Sequence, residues 1–148
     1  MPVNDFDTLK LGDRALVGSY RVSAEDAITF AQRWEPQPHH IDPSAARSSI
    51  YGGLTLCSLQ LFAICTRLFF DWPDRIAVVA MLGKDEIRFP NPARPDEDLV
   101  YHTECVEKRE SRSKPDRGIV TLLDTIANPD GEVVLSQKVT LLVPRGAA

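Results

Sequence analysis

Cysteine and histidine are both scarce in this chain of 148 residues, and their placement argues against two kinds of stabilising site. The three cysteines are Cys57, Cys65 and Cys105. An odd number with two members in one apolar stretch does not form a disulfide framework, so we interpret the cysteines as small core residues. The three histidines include no pair at helical ligand spacing, and no cysteine lies near His39 and His40 in sequence. No metal site is therefore predicted.

Excess positive charge and long hydrophobic runs are also absent. The formal net charge is -4 and the pI is about 5.3, which argues against nucleic acid or an anionic membrane as the main partner. The N-terminus lacks a basic region followed by an apolar run, and no apolar stretch is long enough to cross a bilayer. Repeats and low-complexity tracts are missing as well. The sequence predicts a cytoplasmic protein with a single domain over residues 1–148, long enough to bury a sizeable core.

The segment from Trp34 to Pro43 carries the clearest chemical pattern. In it Glu35 stands five residues before His40, with two prolines between them. Proline fixes its own φ and biases the preceding residue toward extended conformations, so the segment is predicted to be a stiff loop rather than a helical turn. Such a loop holds an acid and a base in fixed relation, as proton transfer requires. A Pro-rich connector with solvated polar side chains is the alternative on spacing alone.

The first half of the chain predicts one strand and several helical segments. Residues 15–22 alternate loosely and are rich in Val and Tyr, which predicts a strand. Ser23 caps a following helix whose apolar face comprises residues 27, 30, 31 and 34, and Asp42-Pro43 opens a short helix through Arg47. Residues 54–70 are apolar on nearly every side, which predicts a long helix buried in the domain centre.

After Pro73 the pattern becomes extended. Four strands are predicted, at residues 76–89, 99–108, 118–127 and 133–143, with Pro-rich and Asp-rich turns between them. We expect them to be consecutive hairpin-linked strands of one antiparallel sheet. The predicted fold class is α+β, with a curved sheet of about five strands wrapped around a long central helix.

One known motif accounts for the pattern around the two prolines. Glu35, Gln37, Pro38 and His40, with Asp42-Pro43 after them, match the form Asp-x-Asn-Pro-x-His followed by x-Asp-Pro. The chain in this respect resembles the MaoC-like dehydratases and R-specific enoyl-CoA hydratases of the hot-dog fold. The resemblance extends over about residues 10 to 145 and includes the Tyr51-Gly52-Gly53 turn, residues 86–96 and the segment of residues 111–118. It departs from the family at three points: the aspartate is Glu35, the asparagine is Gln37, and a His-Gly or Ser-Gly pair reads Cys57-Ser58.

The resemblance implies reversible syn addition of water to a trans-2-enoyl thioester. His40 is then the base that activates the catalytic water, and Glu35 exchanges a proton with the substrate. The backbone N–H of Ser58, at the start of the central helix, holds the enolate-like oxygen. His39 is expected to face solvent or the loop, with substitution for His40 as the alternative.

Several further residues are predicted to bind substrate on the strength of the same resemblance. Gln37 and Cys57 belong to the two altered motifs. Thr66 matches a position occupied by a hydroxyl residue in some hydratases and is expected to orient His40 or the thioester, unless its hydroxyl bonds its own helix. Gln60 either lines a tunnel or is a satisfied core amide. The basic run from residue 108 to 117 includes Arg112 and Arg117, which are candidates for the coenzyme A phosphates, and a solvated hairpin is the alternative.

The sequence therefore leaves three alternative functions. The first is an acyl-CoA hydratase or dehydratase. The second is a hot-dog thioesterase, disfavoured because residues 54–70 contain neither Asp nor Glu for a helix-borne catalytic carboxylate. The third is a non-catalytic subunit that binds acyl thioesters. The expected partner is an acyl-CoA or acyl-carrier thioester, with coenzyme A as part of the substrate and no separate cofactor. A homodimer or larger homo-oligomer is expected, because a sheet of about five strands leaves open edges.

Overall fold

The computed structural model describes residues 4–146, which form one sheet and four helices. The elements, in chain order, are β1 (Arg14–Arg21), α1 (Ala24–Trp34), α2 (Pro38–Ile41), α3 (Pro43–Arg47), α4 (Ser58–Asp71), β2 (Ala80–Arg88), β3 (Asp98–Glu110), β4 (Arg117–Ala127) and β5 (Val133–Pro144). All five strands belong to a single antiparallel sheet of order β1-β3-β4-β5-β2. The predicted α+β hot-dog architecture, a curved five-stranded sheet around a long helix, is confirmed.

The connection from β2 to β3 differs from the prediction of four hairpin-linked strands. Only β3-β4 and β4-β5 are sequential antiparallel neighbours, whereas β2 crosses the sheet and pairs with β5. The connecting segment contains three prolines, which lack the N–H groups that a hairpin ladder needs. It runs instead beside two other segments, where the Leu56 N–H donates to the Ala93 carbonyl and the Asp96 N–H donates to the Val22 carbonyl. Both β1 and β2 are therefore edge strands.

One face of the sheet packs against α4. Buried and partly exposed residues alternate along β3, β4 and β5, as expected for strands with one face in the core. Leu61, Ile64, Cys65 and Leu68 of α4 belong to the same buried cluster as the inward side chains of the sheet. All three cysteines are buried and unpaired, as interpreted from the sequence.

Helix α4 is shorter and less enclosed than the apolar run predicts. It begins at Ser58, because residues 54–57 are extended and bond to other segments. Leu59 and Phe70 are 44% and 59% exposed, so the prediction of a helix buried on every side is wrong for the single protomer. A five-stranded sheet covers one side of a helix and leaves the other open. None of the helices within residues 4–146 has the length and hydropathy to span a bilayer.

Helix α1 starts where the cap signal places it. The Asp26 N–H donates to the Ser23 hydroxyl, and Ala27 and Ala31 are buried. Trp34, predicted on the apolar face, is 58% exposed and lies under the guanidinium of Arg33. The buried face of α1 is therefore narrower than its apolar face.

Candidate active site

The second half of the segment, Pro38–Ile41, is a helical turn and not the stiff loop expected. Pro38 occupies the first position of α2, where its missing N–H removes no helical hydrogen bond. The turn ends at Ile41, and Asp42 then caps α3 by accepting from the Ser44 and Ala45 N–H groups. This short helix turns the His40 side chain toward the protein interior, where the ring is buried.

Thr55 fixes the orientation of the His40 ring. The His40 Nδ1 lies 2.7 Å from the Thr55 carbonyl oxygen, which can only accept, so Nδ1 carries the proton of the neutral ring. The Thr55 hydroxyl lies 3.0 Å from the same nitrogen. The Nε2 atom of the neutral ring is therefore left with its lone pair free to act as a base.

Glu35 lies on the other side of that nitrogen. It is the C-cap of α1, and its Oε1 is 3.9 Å from His40 Nε2. The Gln37 amide donates to Oε1 at 2.9 Å and holds the longer carboxylate in place. The second carboxyl oxygen of Glu35, Oε2, is buried and has no hydrogen-bond partner among residues 4–146. His40 thus offers a base and Glu35 a carboxyl group, and the distance between Nε2 and Oε1 is too long for a direct hydrogen bond.

Ser58 begins helix α4 beside the same pair. Cys57 is the N-cap, with the extended φ and ψ of -74° and 155°, so Ser58 is the first helical residue. Its φ is negative, so the backbone here does not require glycine. Within residues 4–146 no carbonyl or side chain accepts the Ser58 N–H. A helix start with free N–H groups attracts developing negative charge.

Four of the predicted residues share one cavity of about 340 Å³. They are Glu35, Gln37, His40 and Ser58. His39 also lines it, stacked on Tyr51 at 4.8 Å between ring centroids, and so faces this turn and not open solvent. Burial first and the neighbouring His40 second lower the pKa of His39.

The other predicted residues do not line this cavity. Cys57 is buried at the N-cap of α4, and burial raises the pKa of its thiol. Gln60 is buried and does not line the cavity, and its Oε1 has no hydrogen-bond partner among residues 4–146. Thr66 does not orient His40, because its hydroxyl donates to the Phe62 carbonyl one turn earlier.

The two arginines proposed for coenzyme A phosphates also lie outside the cavity. Arg112 is exposed in the turn between β3 and β4, and Arg117 pairs with Asp116 at 2.9 Å. Their positions fit both the solvated hairpin and a surface site for coenzyme A phosphates, so the phosphate assignment stays a prediction.

Sequence reasoning missed Thr55 and Arg94. The Arg94 guanidinium donates to the carbonyls of Tyr51, Gly53 and Leu54, and so pins the turn that leads to Thr55 and Ser58. In the sequence, Arg94 is recognisable only as a lone arginine inside the proline-rich segment. Its hydrogen-bond partners lie 40 to 43 residues away, so local pattern does not predict them. Across residues 4–146 no three His, Cys, Asp or Glu side chains converge as a metal centre would require.

Comparison with known proteins identifies the family and supports the fold. The family model described as MaoC like domain matches residues 12–126. The crystal structure of a MaoC-like dehydratase from Rhodospirillum rubrum is 33% identical, covers 98% of this chain and 99% of that one, and superposes with a TM-score of 0.90. The uncharacterized protein YdeM of Bacillus subtilis is 27% identical over 94% of this chain and 98% of its own. The (R)-hydratase from A. caviae involved in PHA biosynthesis shares the fold, at 22% identity and a TM-score of 0.75 over 93% and 98% of the two chains.

The fold and the matched family define a hot-dog domain of the MaoC-like dehydratase class. The chain belongs to the MaoC-like domain family.

Proposed function

We propose that the protein is a hydratase or dehydratase that adds water to, or removes it from, a trans-2-enoyl thioester. The observation that carries the proposal is the 3.9 Å separation of His40 Nε2 and Glu35 Oε1 in a cavity that also contains the start of α4. That separation suits one water molecule bonded to both groups. The (R)-hydratase from A. caviae, which shares the fold, supports the same reaction class.

In the hydration direction, His40 Nε2 takes a proton from the bound water as its oxygen attacks C3 of the enoyl group. The electron pair of the double bond moves toward the thioester oxygen, which the Ser58 N–H and the α4 dipole stabilise. Protonated Glu35 then delivers its proton to C2. The proton left on His40 returns to Glu35 across the gap through the next water, so the cycle is balanced. Coenzyme A enters only as part of the substrate.

The thioesterase alternative receives no support from α4. Its one acidic residue is Asp71, at the far end of the helix, where it pairs with Arg67 at 2.9 Å. The non-catalytic binding subunit remains a distinct candidate, because Glu35 and Ser58 both depart from the family motif.

Turnover of crotonyl-CoA distinguishes these functions. Loss of enoyl absorbance without release of free thiol is the expected result. Thiol release would identify a thioesterase. Tight binding of the thioester with neither signal would identify a binding subunit and overturn the proposed hydratase activity.

The active form we propose is a homodimer in which two copies extend their sheets through β2 into one sheet of ten strands, with substrate between the protomers. The segment at this edge exposes Val79, Met81 and Leu82, each more than half exposed. An open apolar strand edge is normally paired or covered. The uncovered side chains of α4, Leu59 and Phe70, are further apolar surface that a second copy can bury.

A further inference from the structure

A row of polar side chains crosses the inner face of the sheet, far from the motif that the sequence singles out. Thr103 of β3 lies directly opposite Asp124 of β4, and Asp124 lies directly opposite Gln137 of β5. Lys84 of the edge strand β2 completes the row. Cross-strand neighbours of this kind are close enough to interact side by side.

Hydrogen bonds join the four side chains into one chain. The Thr103 hydroxyl donates to Asp124 Oδ1 at 2.8 Å, and the Gln137 amide donates to Oδ2 at 3.1 Å. Lys84 Nζ donates to Gln137 Oε1 at 3.1 Å. Gln137 therefore separates the ammonium from the carboxylate, and Lys84 forms no ion pair with any of residues 4–146.

This row is costly to keep inside the protein. Asp124 is 4% exposed and Gln137 is completely buried. Burial raises the pKa of the Asp124 carboxyl, against the lowering effect of the hydrogen bonds from Thr103 and other neighbours. Apolar side chains of similar size are often at least as stabilising as a buried polar network. Because the burial of these polar groups is unfavourable, we consider the row a candidate for ligand binding.

The row borders a second cavity of about 200 Å³, whose walls are mainly apolar. Cys65, Thr66 and Phe69 of α4 form one side of it, and Lys84 is its only cationic lining residue within the described chain. Lysine offers three donors, and Gln137 uses one of them. The atoms of Asp124 already accept from the row. Lys84 Nζ therefore keeps two positively charged N–H donors for a ligand in the cavity.

Helix α4 connects this cavity with the one around His40. Ser58 and Leu61 line the first cavity, and Cys65 and Thr66 line the second. The rise from Ser58 to Thr66 is about 12 Å at 1.5 Å per residue. Phe89 lines the first cavity and packs edge-on against Phe62, whose ring lies 5.2 Å from Lys84 Nζ. The aromatic pair thus bridges the two cavities.

We propose that the second cavity receives the far end of the acyl chain, and that Lys84 selects acyl chains that end in a carboxylate. This inference rests on the proposed function, since it requires the thioester to lie between His40 and Ser58. A terminal carboxylate accepts from the free donors of Lys84, whose only hydrogen-bond partner among residues 4–146 is the Gln137 amide. A terminal methyl group offers the half-buried ammonium no such acceptor.

The test compares pairs of trans-2-enoyl-CoA esters that are matched in length and end in either a methyl group or a carboxylate. Lengths of about four to twelve carbons cover the rise along α4. The ratio of kcat/KM values within each pair is measured for the wild type and for Lys84→Gln, which keeps a donor for Gln137 and loses the charge. Lys138→Gln is the matched control, because Lys138 lies next to Gln137 in β5 but pairs with Glu86.

We expect the wild type to prefer the carboxylate member at its best length by about tenfold or more, the size of one charge-assisted hydrogen bond. Lys84→Gln should lower the ratio by at least about tenfold, and Lys138→Gln should leave it unchanged. A wild-type preference for the methyl member at every length would overturn the assignment, as would a ratio that Lys84→Gln does not alter.

Calorimetric binding of the saturated analogues separates this assignment from the proposed activity. Preferential binding of the carboxylate-ended thioester without any turnover would overturn the hydratase proposal and leave the role of Lys84 intact. Absence of binding for both thioesters would overturn both.

Discussion

His40 is ready to act as a base because its other nitrogen is occupied. The Nδ1–H group donates a hydrogen bond to the Thr55 carbonyl, so the neutral ring presents Nε2 toward Glu35. Gln37 in turn holds the Glu35 carboxylate at a distance that one water can bridge. Each departure from the family motif therefore compensates the other: the longer acid is held by the longer amide.

The substitution of Glu35 tests this compensation. Glu35→Gln should lower the hydration rate by about two to four orders of magnitude, the usual contribution of general acid-base catalysis. Glu35→Asp should also be slower than wild type, because the shorter carboxylate no longer reaches both Gln37 and the water. Steady-state kinetics with crotonyl-CoA measure both variants, and circular dichroism checks their folding. A faster Glu35→Asp variant, or indifference to both changes, would contradict the role of Glu35.

For single residues, the sequence predicts which side chains belong to the motif but not the contacts that orient those side chains. Glu35, Gln37, His40 and Ser58 are recognisable from local spacing and meet in one cavity. Thr55 reaches His40 across 15 residues, a contact that depends on the folded turn between them. Thr66, Arg112 and Arg117 match family positions, yet their side chains bond locally or face solvent. Residue type and position do not specify the direction of a side chain.

The proposed oxyanion site is the backbone N–H of Ser58 at the start of helix α4. Ser58→Pro removes the N–H at the first helical position, where proline is favoured and where the extended Cys57 tolerates it. We expect kcat to fall by about a hundredfold to a thousandfold with the helix retained. Ser58→Ala, which keeps the N–H and removes only the hydroxyl, should stay close to wild type. Equal kinetics for the two variants would show that this N–H does not bind the substrate oxygen.

The polar row across the sheet makes a separate prediction about pH and stability. Burial raises the folded-state pKa of Asp124 above its unfolded value, so the folded protein holds this proton at a pH where the unfolded chain has released it. The contribution of Asp124 to the free energy of unfolding is therefore full below about pH 4 and falls as the pH rises through the raised folded-state pKa.

Asp124→Asn should abolish that fall. The difference in unfolding free energy between Asp124→Asn and wild type, measured by urea denaturation, should shift in favour of the variant as the pH rises above about 4. Asp130→Asn, in an exposed turn, is the control. A difference that does not vary with pH would contradict the raised pKa.

Element boundaries follow the local signals closely, whereas connections do not. Caps at Ser23 and Asp42 predict where α1 and α3 begin, and the alternation of residues 98–144 predicts three of the strands. The pairing of β2 with β5 leaves no local trace, because it depends on the path of the proline-rich segment over residues 89–97. Proline at the first position of α2 produced the wrong loop prediction, since the same residue breaks a helix interior and favours a helix start.

The whole molecule has two open sheet edges and an open side of α4, which together predict a dimer. We expect light scattering at micromolar concentration to give twice the 16.5 kDa mass of the chain. Replacing Met81 of the β2 edge by a charged residue, Met81→Glu, should shift the protein toward monomer, whereas Leu16→Glu on β1 should not. A monomeric wild type, or a dimer sensitive only to the β1 change, would contradict pairing through β2.

The assignment of His40 as the base is tested most directly by hydration of crotonyl-CoA with three proteins: wild type, His40→Ala and His39→Ala. We expect turnover by the wild type, a loss of at least about a hundredfold in His40→Ala, and near-normal turnover in His39→Ala, with all three folded. The His39 ring contacts Tyr51 and makes no hydrogen bond to Thr55, which orients only the His40 ring. Full activity in His40→Ala, or loss confined to His39→Ala, would contradict the assignment of His40 as the base.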